Sequence, residues 1–192
     1  MLESLFVPTG IVALAEIGDK TQLLALLLAA RFRRPWPIIW GIVVATLANH
    51  FAAGAVGNWV AGFFSATTLS WVLAACFAAV AVWTLIPDKL DDDEASALNK
   101  YGPFLTTLIA FFLVEMGDKT QVATIALGAQ YHSVPLVTAG TTLGMMIANV
   151  PAIFLGHELL KRVNLDTVRK VAAGLFLVIG LWVLAQAAGL LG

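Results

Sequence analysis

Glu16-Ile17-Gly18-Asp19-Lys20-Thr21-Gln22 sets three charged side chains in the middle of a run that carries no other charge from Leu5 to Ala30. An offset of 99 residues carries it onto Glu115-Met116-Gly117-Asp118-Lys119-Thr120-Gln121, and six of the seven positions are identical. The same offset pairs Gly41 with Gly140, Gly57 with Gly156, Phe77 with Phe176, Trp83 with Trp182 and Leu85 with Leu184. A match sustained through both halves is the mark of a duplicated chain.

The surrounding sequence says where these charges reside. The 192 residues are 60% hydrophobic and 12% charged, with a mean hydropathy of +0.89. Runs of roughly 20 apolar residues suffice to cross a hydrocarbon core of about 30 Å. Such runs predict six helical spans at about 5–30, 36–63, 69–87, 103–129, 134–156 and 168–189. The N-terminus has no cationic stretch before its apolar run, so it reads as a first span and not as a cleaved leader. Residues 1–87 form one three-helix repeat and residues 103–192 the other. Between them, residues 88–102 hold Asp91-Asp92-Asp93-Glu94 and read as a solvated acidic linker.

Cations fix the orientation. Arg31, Arg33 and Arg34 follow the first span, Lys89 and Lys100 the third, and Lys161, Arg162, Arg169 and Lys170 the fifth. All nine fall on one side of the membrane, which the positive-inside rule makes cytoplasmic, with both termini outside. Three spans per half is an odd number, so the second half enters from the opposite face. The expected fold is an all-α integral membrane protein with 3+3 inverted repeats and a substrate site at the midplane between them, an architecture of secondary transporters.

Ionised groups near the bilayer centre cost at least about 2.5–3.5 kcal/mol each, so they need compensation or a function. On an uninterrupted helix Glu16, Asp19 and Lys20 share a face, as do Glu115, Asp118 and Lys119. Gly18 and Gly117 allow either close helix approach or a local break that frees carbonyl groups. Glu16, Asp19, Glu115 and Asp118 are therefore the candidate metal ligands, with Lys20 and Lys119 compensating charge. Thr21, Thr120, Gln22, Gln121, Asn49 and Asn149 are candidate further ligands or supports. Four carboxylates and two ammonium groups leave a formal −2, which one divalent cation neutralises. Protons would occupy the empty site, and cation binding would displace them. Oxygen donors without a Cys or His cluster suit hard ions such as Mn²⁺, Ca²⁺ or Mg²⁺.

Other features read more plainly. Cys76 is a small apolar-run side chain and cannot form a disulfide alone. Met116, Met145 and Met146 read as packing. His50, set against Val150 beside the second asparagine, reads as a packing histidine with a proton relay as its other role. A net charge of −1 excludes a broad nucleic-acid surface, and no phosphate-binding glycine loop is present. No cofactor is expected. GxxxG-like spacings such as Gly140 to Gly144 leave oligomeric state open.

The doubled Glu-x-Gly-Asp-Lys-Thr-Gln resembles the Glu-x-Gly-Asp-[Lys/Arg]-[Ser/Thr] signature of the cation/proton exchanger family of the eukaryotic Golgi, chloroplasts and bacteria. The likeness covers essentially the whole chain. It implies a transporter in a bacterial inner membrane that exports Mn²⁺, with Ca²⁺ as the other substrate, against protons. It also implies that Glu16, Asp19, Glu115 and Asp118 bind the cation. Two alternatives use the same residues. Export of organic cations or amino acids would bind an ammonium group in the acidic cluster, and an intramembrane aspartyl protease would use Asp19 and Asp118 as its dyad.

Overall fold

The computed structural model describes residues 2–87, 101–156 and 164–190. The acidic run and the basic residues Lys89, Lys100, Lys161 and Arg162 lie outside the described residues. Those described form eight helices and no strand: α1 (Glu3–Glu16), α2 (Lys20–Phe32), α3 (Pro35–Ala61), α4 (Ala66–Thr84), α5 (Pro103–Glu115), α6 (Lys119–Tyr131), α7 (Val134–Leu155) and α8 (Leu165–Ala187).

Helices α3, α4, α7 and α8 are long and apolar enough to cross a membrane, at 27, 19, 22 and 23 residues. The predicted spans at 5–30 and 103–129 are different. Each is two helices of 13 or 14 residues, interrupted inside the repeated motif. The interruption has a local cause. Ile17 and Met116 turn extended (ψ 113° and 120°), and Gly18 and Gly117 take φ of 81° and 77°, a region that strains any side chain. The shared-face reading of Glu16, Asp19 and Lys20 therefore gives way to the broken form.

The other boundaries also follow from sequence. Helix α2 ends on Arg33 and α6 on His132, both left-handed, with their N–H groups donating to Ala29 and Gly128 carbonyls. Proline within the first two positions then starts α3 and α7. Ser65 caps α4 by accepting from the Thr68 N–H at 3.2 Å, and Asn164 caps α8 by accepting from Thr167 at 3.1 Å.

Polarity is distributed inside out relative to a water-soluble domain. Trp36, Phe51, Trp59, Val178 and Leu181 are exposed, whereas Glu16, Asp19, Glu115, Asp118 and Lys119 are buried to 2% exposure or less. An apolar exterior of this extent requires lipid as solvent, so the chain is a multi-pass membrane protein.

Several contacts between the two copies of the repeat are reciprocal. Helix α1 lies along α7, α3 lies along α5 and α6, and α4 packs on α8. A Cβ on Gly41 would sit 2.9 Å from the Phe104 carbonyl oxygen and 2.7 Å from Thr107 Cβ. A Cβ on Gly140 would meet Leu5 O at 2.3 Å and Pro8 Cβ at 3.2 Å, the positions one repeat offset away. Phe77 stacks on its own repeat counterpart, Phe176, with centroids 6.4 Å apart. The 99-residue offset exchanges these contacts with one another. Among the described glycines the tightest site is on α3 against α6, where a Cβ on Gly57 would lie 1.9 Å from the Ile125 carbonyl oxygen.

Candidate cation site

The two interruptions come together, and the charges pair across them. Lys20 Nζ lies 3.0 Å from Asp118 Oδ1, and Lys119 Nζ lies 2.5 Å from Asp19 Oδ1. Repeat offset turns each pair into the other, so the lysines bridge the halves instead of closing on the glutamate four residues earlier. Asp19 and Asp118 occupy the N-cap positions of α2 and α6, where the helix dipole favours negative charge.

Glu16, Asp19 and Asp118 each present one carboxylate oxygen, and these oxygens lie within 4.8 Å of one another. Oxygens on opposite sides of a cation with bonds of roughly 2.3 Å stand about 4.6 Å apart, so small side-chain motions would close the set around one ion. Glu115 sits beside this triad as one of the electrostatic neighbours of Glu16. Its Oε1 accepts from Thr120 Oγ1 at 2.5 Å and is 3.3 Å from His50 Nε2.

The predicted supporting residues divide by task. Thr21 donates to Glu16 Oε2, and Thr120 donates to Glu115 and, at 3.1 Å, to Asp118 Oδ2. Each hydroxyl therefore orients a carboxylate. Gln22 Oε1 accepts the Gly18 N–H at 2.9 Å, and Gln121 Oε1 accepts the Gly117 N–H at 2.7 Å. Those amides satisfy the backbone that the interruptions expose. Their NH₂ groups reach the facing helix: Gln22 donates to the Ala148 carbonyl at 2.8 Å and Gln121 to Asn49 Oδ1.

This last pair corrects one reading. Gln22 and Gln121 are equivalents, so positions 148 and 49 are equivalents too, and His50 corresponds to Asn149 and not to Val150. Asn149 Nδ2 donates to the Met145 carbonyl at 2.9 Å. Several buried atoms at the site have no hydrogen-bond partner among the described residues: Glu16 Oε1, Glu115 Oε2, Asn149 Oδ1 and His50 Nδ1. Leaving a buried polar atom unsatisfied costs about 1–3 kcal/mol, so this concentration suits a place that receives a charged ligand.

The two motifs differ in cover. Leu165, at the start of α8, packs over Gly18, where a Cβ would be 2.6 Å from Leu165 Cδ2. Among the described residues nothing lies within 4 Å of a Cβ on Gly117, and Met116 beside it is exposed. The contact between His50 and Glu115 is the feature that sequence reading missed. Its available signal was the 99-residue register, which sets a histidine opposite an asparagine.

The family described as Divalent cation/proton antiporter GDT1 matches residues 4–92 and 103–190. The chain is 54% identical over 171 residues to a Vibrio cholerae protein named "Putative manganese exporter", covering 88% of this chain and 84% of that one. It is 28% identical over 186 residues to the Synechocystis "GDT1-like protein sll0615", covering 86% and 89%. A rice "GDT1-like protein 3" is 25% identical over 202 residues, covering 92% and 72%. No solved structure matches.

Proposed function

The chain belongs to the divalent cation/proton antiporter GDT1 family, and from that membership we propose that it exports Mn²⁺, with Ca²⁺ as the second substrate, in exchange for protons. It is a transporter and not an enzyme. Glu16, Asp19, Glu115 and Asp118 bind the cation in this reading. The observation that carries it is the buried meeting of Glu16, Asp19 and Asp118 oxygens between the reciprocal lysine pairs.

The cycle follows from charge. Four carboxylates against two ammonium groups invite a divalent ion, and metal and protons compete for the same oxygens, so loading one releases the other. Lys20 and Lys119 hold the aspartates while the ion is away and yield when it arrives. The reciprocal contacts support 3+3 inverted repeats formed by residues 1–87 and 103–192, with each interrupted helix pair acting as one discontinuous span. The basic loops support an inner-membrane orientation with both termini outside. Leu165 over Gly18, with no such contact at Gly117 among the described residues, suits one end of an alternating-access cycle.

Organic-cation export fits less well. Trp36, Trp40, Trp59 and Trp71 are 59–67% exposed on the outer surface, away from any cage for an ammonium group. A protease dyad fits poorly as well, because each aspartate is engaged by a lysine and the pair cannot share a proton freely.

The test is metal content in a deletion strain complemented with wild type, Glu16→Gln or Glu115→Gln, under Mn²⁺ challenge. The proposal expects cellular Mn to rise without the protein, to fall with wild type and to stay high with either variant. Unchanged Mn, Ca, Mg, Fe and Zn in every strain would refute it.

A further inference from the structure

We propose that His50 is a specificity-determining ligand of the transport site, adding an imidazole nitrogen beside Glu115 that favours transition-metal ions over Ca²⁺ and Mg²⁺. This rests on the cation-site reading above and deepens it.

His50 is fully buried on α3, and its Nε2 is 3.3 Å from Glu115 Oε1. Neighbouring ligands of an octahedral ion with bonds of roughly 2.1–2.2 Å stand about 3 Å apart, so the two atoms are already spaced as cis ligands of one metal. Glu115 Oε2 is buried and has no hydrogen-bond partner among the described residues, which leaves a second oxygen for the same ion.

The repeat supplies the contrast. Asn149 stands at the equivalent position on α7, with a buried Oδ1 that is likewise unpartnered among the described residues. One half thus offers an amide oxygen and the other an imidazole nitrogen at the same depth. An all-oxygen site of duplicated origin would take Ca²⁺ readily. Replacing one oxygen by imidazole penalises the hard ions Ca²⁺ and Mg²⁺, which take oxygen shells, more than it penalises the first-row transition ions, with Mn²⁺ the least favoured among these.

The experiment is pulsed EPR on the purified protein loaded with Mn²⁺, together with titration of bound Mn²⁺ by Ca²⁺, for wild type and His50→Gln. Wild type should show ¹⁴N modulation from a directly bound imidazole. In His50→Gln that signal should vanish, and Ca²⁺ should displace Mn²⁺ at a concentration lower by about tenfold or more, the least effect seen when even an orienting partner of a ligand is lost. Bound Mn²⁺ without ¹⁴N modulation in wild type, or equal Ca²⁺ competition in both proteins, would overturn the assignment. The wild-type spectrum decides even where the variant folds poorly. Failure of wild type to bind Mn²⁺ at all would instead overturn the cation-site reading, and this assignment with it.

Discussion

Lys119→Met should destabilise the metal-free protein more than Lys20→Met, and Mn²⁺ should reverse much of the loss. The Lys119 side chain is 3% exposed and that of its partner Asp19 fully buried, with 2.5 Å between the charged atoms. Removing one member of such a pair strands the other and costs about 3–5 kcal/mol. For a chain of this size that is a fall in Tm of about 6–20 °C. Lys20 is 24% exposed, and without it Asp118 would still accept from Thr120. Its removal should therefore cost less, about 1.5–3 kcal/mol, the value of a hydrogen bond to a charged group. Each substitution also leaves the cluster one unit more negative, which strengthens its attraction for a divalent ion. Thermal melts in detergent with EDTA and with saturating Mn²⁺ provide the assay. The Mn²⁺-induced rise should be larger for Lys119→Met than for wild type, and Asp19→Asn in the same chain should restore most of the metal-free stability. Equal losses for the two lysines, or a Mn²⁺ effect no greater than in wild type, would refute the reasoning.

Gly57→Ala should destabilise the chain by about 3 kcal/mol or more, since the new methyl would collide with the α6 backbone at Ile125 and packed helices do not part cheaply; chemical-denaturation or thermal melts measure it. Gly117→Ala should cost about 1–2 kcal/mol from its positive φ alone. Gly18→Ala should cost more by pressing on Leu165, and Leu165→Ala should remove the excess in the same melts. Thr21→Val should slow Mn²⁺ transport without abolishing it, because it deletes a hydrogen bond to Glu16 and not the carboxylate; Glu16→Gln should abolish it.

The membrane class was legible because apolar length acts directly on helices, and α3, α4, α7 and α8 are each long and apolar enough to cross a bilayer. The repeated motif pointed to the two interrupted helix pairs, and the mean hydropathy to the solvent. The interruptions at Gly18 and Gly117 were readable only as one of two options, since a glycine permits both a break and close approach. Pairing was less legible still. Glu16 and Lys20 are four apart, a spacing that suggests an intrahelical bridge, and only the broken backbone turns each lysine toward the other half. The glutamines read equally well as ligands or as supports, and only the broken backbone shows their oxygens accepting the Gly18 and Gly117 N–H groups. His50 was mispaired because Asn49 and Asn149 invite alignment by residue type, although backbone register aligns Asn149 with the histidine.

The central claim is exchange of a divalent cation for protons through one buried acidic site. Its most direct test is the purified protein in liposomes containing Mn²⁺ and a trapped pH indicator, with an outside-acid gradient imposed. Mn²⁺ should leave as protons enter, each flux should stop when the other ion is withheld, and Glu16→Gln should lose both. Mn²⁺ efflux that proceeds at full rate without proton movement, or that survives Glu16→Gln, would contradict the account.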